Sequence, residues 1–107
     1  MKISILLPYK ENFSPNYAGA VSLFVNDITN KSIYKKTTSI FGNTEYKKFL
    51  SNKYVNLVID KKVFSSTNRE YVKNFLILEK RRSSDLIEVH NRPNYIKIIQ
   101  KQYDNKL

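Results

Sequence analysis

The nine residues Asp85–Pro93, D-L-I-E-V-H-N-R-P, hold the densest set of side chains able to do chemistry. Leu86, Ile87 and Val89 form a short apolar run suited to a buried strand, and His90, the only histidine, ends it. An imidazole donates or accepts a hydrogen bond near neutral pH, so His90 can engage a sugar hydroxyl or a phosphate oxygen. A lone histidine can equally be structural. Arg92 can pair with a phosphate or stand as a solvated loop cation. Asn91 can cap the helix that Pro93 opens. Glu88 lies inside the strand and faces either the first loop of the sheet or the sheet surface. A strand that delivers His, Asn and Arg into a loop before a helix is how open α/β sheets present chemistry.

Gly19 is the second candidate. Just before a helix, a residue without a Cβ lets backbone N–H groups approach a phosphate, with the helix dipole adding attraction. The alternative is a turn glycine required only for backbone geometry. Neither the G-x-G-x-x-G fingerprint nor the P-loop pattern is present, which argues against a nicotinamide-dependent dehydrogenase and a P-loop NTPase. The chain has no cysteine, so disulfides, thiolate metal sites and thiol catalysis are excluded. With one histidine, no His-rich metal site is possible, and a carboxylate site would need acids converging from distant parts of the chain.

The formal net charge of +10 over 107 residues fits either an anionic partner or simply a Lys- and Asn-rich composition with solvated faces. The cations are scattered as Lys35-Lys36, Lys47-Lys48, Lys61-Lys62 and Lys80-Arg81-Arg82 rather than gathered into one arm, and no RNP-like or Arg/Gly-rich motif accompanies them. Nucleic acid is therefore not the expected partner. Anionic lipid headgroups or a phosphorylated substrate suit such a surface better. No apolar run approaches the roughly 20 residues of a membrane span. The opening residues lack the length and cleavage site of a signal peptide, so a cytoplasmic location is expected, with possible contact at the inner face of the membrane.

The elements that must position these residues alternate. Lys2–Leu7 reads as a central parallel strand, near-continuously apolar and stopped by Pro8. Residues 9–16 are a polar loop. Val21, Phe24, Val25 and Ile28 follow the i, i+3, i+4, i+7 spacing of an amphipathic helix ending near Asn30-Lys31. Thr37–Phe41 is a second strand, Thr44–Leu50 a short helix with Tyr46, Phe49 and Leu50 inward, and Tyr54–Ile59 a third strand closed by Asp60-Lys61-Lys62. Thr67 and Glu70 form a capping box. The helix they start carries Tyr71, Val72, Phe75, Leu76 and Leu78–Glu79 and ends in Lys80-Arg81-Arg82, where cations suit the dipole. Asp85–Val89 is the fourth strand, and Tyr95, Ile98 and Ile99 mark a last helix running to about Tyr103.

Strands alternating with helices imply parallel strands joined by right-handed crossovers, an α/β, Rossmann-like, doubly wound sheet of about four strands in one domain. In the order 3-2-1-4, strands one and four are neighbours and the winding reverses between them. Ligands bind such sheets in the crevice beyond the carboxyl ends at that point. Residues 8–19 and 90–93 should therefore meet.

Three segments resemble the N-terminal part of a GT-B glycosyltransferase of the family 4 type. They are the opening strand K-I-S-I-L-L-P, the segment Tyr17-Ala18-Gly19-Ala20-Val21, and Asp85-Leu86-Ile87-Glu88-Val89-His90 with Asn91-Arg92-Pro93 after it. The resemblance implies one of two facing Rossmann-like lobes, the one that mainly binds the acceptor, with a nucleotide-sugar as co-substrate and no cofactor or metal. Gly19 would approach the donor diphosphate and His90 would line the reaction centre. Ala18 stands where many members have glycine. His90 is thus the expected catalytic residue, and Tyr17, Gly19, Asn91 and Arg92 the expected substrate-binding residues. The partners implied are a nucleotide-sugar donor and a saccharide or lipid-linked acceptor. With the donor lobe absent, the chain is expected to be part of a longer protein, an incomplete GT-B N-terminal domain, inactive in transfer by itself. A stand-alone basic module for nucleic acid or membrane, and a flavodoxin-like regulatory domain, are the alternative expectations.

Overall fold

The structure, a computed structural model, describes residues 1–59 and 67–103. Strand β1 (Ile3–Leu6) leads to helix α1 (Ala20–Lys31), a 3-10 turn (Lys35–Thr37), strand β2 (Thr38–Gly42), strand β3 (Tyr54–Asn56), helix α2 (Thr67–Arg82), strand β4 (Leu86–Val89) and helix α3 (Pro93–Tyr103). The four strands are all parallel in the order β3-β2-β1-β4, as expected of a doubly wound, Rossmann-like α/β sheet. In β1, Ile5 lies beside Ile40 and Glu88, and Leu6 beside Phe41 and Val89.

All four residues of β1 are buried, because helices cover both faces. On one face Ile3, Ile5, Leu7 and Ile40 pack against Val25 of α1, Phe13 and Tyr54. On the other, Leu6, Phe41 and Leu57 pack against Tyr71, Val72, Phe75 and Leu76 of α2 and Tyr95 and Ile99 of α3. Each such fully buried apolar side chain contributes ~1.5–3 kcal/mol relative to exposure. Charged residues finish the amino end of the sheet. Arg82 donates from Nε to Ser4 Oγ at 2.9 Å and from Nη2 to the carbonyls of Ile3 at 2.8 Å and Thr37 at 2.6 Å. The buried Glu79 carboxylate accepts from Ser84 N–H at 2.9 Å and Ser84 Oγ at 2.5 Å, and so fixes the turn from α2 into β4.

Residues 44–50 are not a helix. Thr44 N–H donates to Asn56 Oδ1 at 2.7 Å, and Leu50 N–H to the Phe13 carbonyl at 3.2 Å, so this backbone is spent on its neighbours. A helix of seven residues has too few internal bonds to compete. Phe49, expected inward for helical reasons, instead leans on Tyr54 with ring centres 4.6 Å apart. Strand β3 stops at Asn56 rather than Ile59, since the Leu57 and Val58 carbonyls are taken by the side-chain amides of Asn43 and Asn74. The expected stop at Asp60-Lys61-Lys62 lies outside the described residues. Helix α2 begins at Thr67 itself, with Glu70 in its first turn. The apolar stripe of α1 is only half used: Val25 is fully buried, but Phe24 and Ile28 are exposed beside the uncovered face of β4, as is Leu86.

Candidate functional site at the carboxyl ends of β1 and β4

The loop leaving β1 is tied to the first turn of α3, the helix that follows β4. Tyr9 N–H, just past β1, donates to the Tyr95 hydroxyl in the first turn of α3 at 3.2 Å, and that hydroxyl donates to Asn68 Oδ1 at 3.1 Å. Beneath them the Tyr71 hydroxyl donates to the Leu7 carbonyl at 2.6 Å. Burial, and then the neighbouring Tyr54 and Tyr95 hydroxyls, push the Tyr71 phenol well above its usual range, so it stays a neutral donor. The loop after β1 is pinned again by buried Phe13, whose ring stacks on Tyr54 at 4.9 Å and whose N–H donates to Thr44 Oγ1 at 3.0 Å. Gly19 N–H closes it on the Asn12 carbonyl at 3.2 Å.

His90 sits one residue past β4, its N–H reaching the Leu6 carbonyl at 3.4 Å. Because side chains alternate along a strand, Glu88 and His90 share the α1 side of the sheet. His90 Nε2 is buried without a hydrogen-bond partner, and Glu88 Oε2 is 3.7 Å away. That is too long for a hydrogen bond. The ring meets Phe24 of α1 edge-on, with centres 6.5 Å apart. The sheet order thus brings His90, Glu88 and the second turn of α1 together.

Gly19 flanks α1 with φ −73° and ψ 157°, ordinary extended backbone, so a left-handed turn is not why glycine stands here. The reason is space. A Cβ on Gly19 would lie 1.6 Å from Glu11 Oε2. That oxygen accepts from Ser22 Oγ at 2.8 Å and from Ser22 N–H at 3.4 Å. Helix α1 has no side-chain cap and no acidic residue in its first turn, so Glu11 supplies the anion that a helix N-terminus favours.

Asn91 and Arg92 follow His90 at the carboxyl end of β4, while the ring contact of Tyr17 is with Tyr46, in the segment after β2. Asn91 is exposed with φ 55°, and Arg92 Nη1 donates to the Asn91 carbonyl at 2.7 Å. Tyr17, with φ 54°, is 83% exposed at the loop tip and touches Tyr46, ring centres 6.0 Å apart. Lys10 in the same loop has φ 65°. Left-handed backbone costs a non-glycine residue ~1–2 kcal/mol, and of the four described residues that adopt it three lie in these two loops, the fourth being Ser83. The sequence reading missed Glu11 as a site residue, and it missed the group of Tyr9, Tyr71 and Tyr95. Each depends on contacts distant in the chain and leaves no periodic signal. Among the described residues no three His, Asp or Glu side chains gather as metal ligands. No helix among them is long and apolar enough to cross a membrane. Comparison with protein-family models, curated proteins and solved structures gives no match, so none of the three identifies a glycosyltransferase or any other family for this chain.

Proposed function

We propose that the chain is the acceptor-side part of a glycosyltransferase that moves a sugar from a nucleotide-sugar donor to a saccharide or lipid-linked acceptor. The observation that carries the reading is His90 at the β1–β4 switch point, with Nε2 buried, unpartnered and beside a carboxylate. In this role the His90 imidazole would hydrogen-bond a reacting sugar hydroxyl, with the Glu88 carboxylate beside it on the same face of the sheet. Asn91 and Arg92, exposed just after His90, would offer an amide and a guanidinium to sugar hydroxyls and phosphate oxygens, and exposed Tyr17 in the loop after β1 would offer a ring face. A donor diphosphate would take the place at the α1 N-terminus that the Glu11 carboxylate now fills, so Glu11 must turn outward on binding. The uncovered α1 side of β4, with exposed Leu86, Phe24 and Ile28, suits a sheet that continues beyond β4 in a two-lobed enzyme.

The test is a titration of isotope-labelled chain with UDP-glucose, GDP-mannose and neutral oligosaccharides, followed by amide and imidazole NMR shifts. The expected changes centre on His90, Glu11, Gly19 and Arg92 and are lost for the imidazole-adjacent amides in His90→Ala. Shifts confined to other surfaces, or none with any of these probes, overturn the proposal.

A further inference from the structure

On the opposite side of the sheet, Arg69, Lys73, Leu76, Ile77 and Lys80 stand at i, i+4, i+7, i+8 and i+11 of α2, a single stripe whose first three residues meet Ile98 and Lys101 of α3. Two adjoining hollows of about 400 and 310 Å³ open along it. The larger has Leu76 and Ile98 as its floor and Arg69, Lys73 and Lys101 around it. The smaller continues past Ile77 to Lys80. Ile77 is 59% exposed in the middle of these cations. Glu70 Oε1, 3.9 Å from Lys73 Nζ, is the nearest counter-charge, and among the described residues no hydrogen bond or ion pair engages Arg69, Lys80 or Lys101.

We infer that this α2–α3 groove is a docking surface for an anionic phospholipid membrane. Four cations around an aliphatic trough complement a phosphate headgroup layer lying over acyl chains. Each Lys or Arg held near such a surface strengthens binding by about fivefold. The long Lys and Arg stems lie along apolar surface while their heads reach phosphates. An exposed isoleucine at the centre of the stripe gains from insertion at the headgroup boundary. Single-stranded nucleic acid is the poorer fit, because it is held by cations together with aromatic faces that stack on bases, and the described residues lining both hollows are Arg, Lys, Leu and Ile. The groove lies across the sheet from α1 and Gly19 and uses none of the crevice residues, so the inference stands or falls apart from the transferase reading.

Vesicle co-sedimentation of the full chain tests it, comparing pure phosphatidylcholine with phosphatidylcholine carrying about three parts in ten of phosphatidylglycerol. The chain should bind only the anionic vesicles. Arg69→Gln, Lys73→Gln and Lys101→Gln together should weaken that binding by roughly 100-fold. Lys35→Gln, Lys36→Gln and Lys47→Gln together remove the same charge from exposed positions outside the groove and should weaken it by less than about tenfold. Ile77→Ser, which leaves the charge unchanged and is checked for folding by circular dichroism, should weaken vesicle binding and leave binding to single-stranded RNA unchanged. Equal losses in the two triple variants overturn the inference, because bulk charge then suffices. So does an unchanged vesicle affinity in Ile77→Ser, or tighter binding to RNA than to vesicles with the same dependence on the groove cations.

Discussion

Tyr54 is 8% exposed between β3 and the loop after β2, its hydroxyl 2.7 Å from Thr44 Oγ1 and donating to Asn56 Oδ1 at 2.9 Å. Burial pushes its phenol up to about 12, with the Thr44 hydrogen bond pulling the other way. An unfolded tyrosine ionises near 10, so the folded chain holds this proton more tightly than the unfolded one. The stabilisation is therefore complete below about pH 10 and is lost as pH rises from there through about 12. Tyr71, raised in the same direction, adds to the same alkaline limb. Urea unfolding at about pH 9 and about pH 11.5 should show the loss. Tyr54→Phe removes two hydrogen bonds and should cost ~1–2 kcal/mol at neutral pH, yet its stability should fall less steeply between those two pH values than that of the parent chain. An equally steep fall in both would mean that Tyr54 ionises as readily folded as unfolded.

Helix α1 and the loop before it form a unit in which one glycine and one glutamate are complementary. Gly19→Ala puts a methyl where Glu11 Oε2 now lies and should expel that carboxylate, costing ~1 kcal/mol for the lost Ser22 hydrogen bonds and dipole contact. Glu11→Ala should cost about the same. Together they should cost little more than either alone, a coupling measurable by a double-mutant cycle. Additive losses would show that Gly19 and Glu11 act independently. Among the elements, β1 was legible because burial on both faces leaves a continuous apolar run, and the cores of α2 and α3 because one buried face leaves a 3.6-residue period. The place of His90 was legible because strand order alone sets β1 beside β4. The stripe on α1 was misleading in part: periodicity shows which residues are apolar and not what covers them, so Phe24 and Ile28 look like core residues in the sequence and are exposed in the fold. Residues 44–50 have helical spacing of aromatic groups for another reason, since Tyr46 meets Tyr17 and Phe49 meets Tyr54 as separate anchors. Glu11 was not legible, because its meeting with Gly19 depends on a loop closed by backbone bonds.

At the scale of the whole molecule, 19 Lys and Arg face 9 Asp and Glu, and several of those acids are already occupied. Glu79 is buried on Ser84, Glu11 sits on Ser22, and Asp85 accepts from Lys2 N–H at 2.7 Å. The described ion pairs that offset lysine directly, Asp27–Lys31 and Glu70–Lys73, are partly or largely exposed and worth ~0–1 kcal/mol each. The radius of gyration is 13.5 Å, shorter than the Debye length of about 30 Å at about 0.01 M salt, so at low salt every cation repels the others. Near 1 M the screening length is about 3 Å and only contacts survive. Folding concentrates these charges, and repulsion should therefore work against the compact state most at low salt. The melting temperature is expected to rise as sodium chloride increases from about 0.01 M to about 0.3 M, before salt effects on apolar burial take over. The triple variant Lys35→Gln, Lys36→Gln, Lys47→Gln removes three exposed cations without touching the sheet, and should melt higher at low salt and respond less to added salt. A melting temperature that falls with salt would mean that attractive pairs outweigh the net charge. A triple variant no more stable than the parent at low salt would place the repulsion among the remaining cations, such as those lining the groove between α2 and α3.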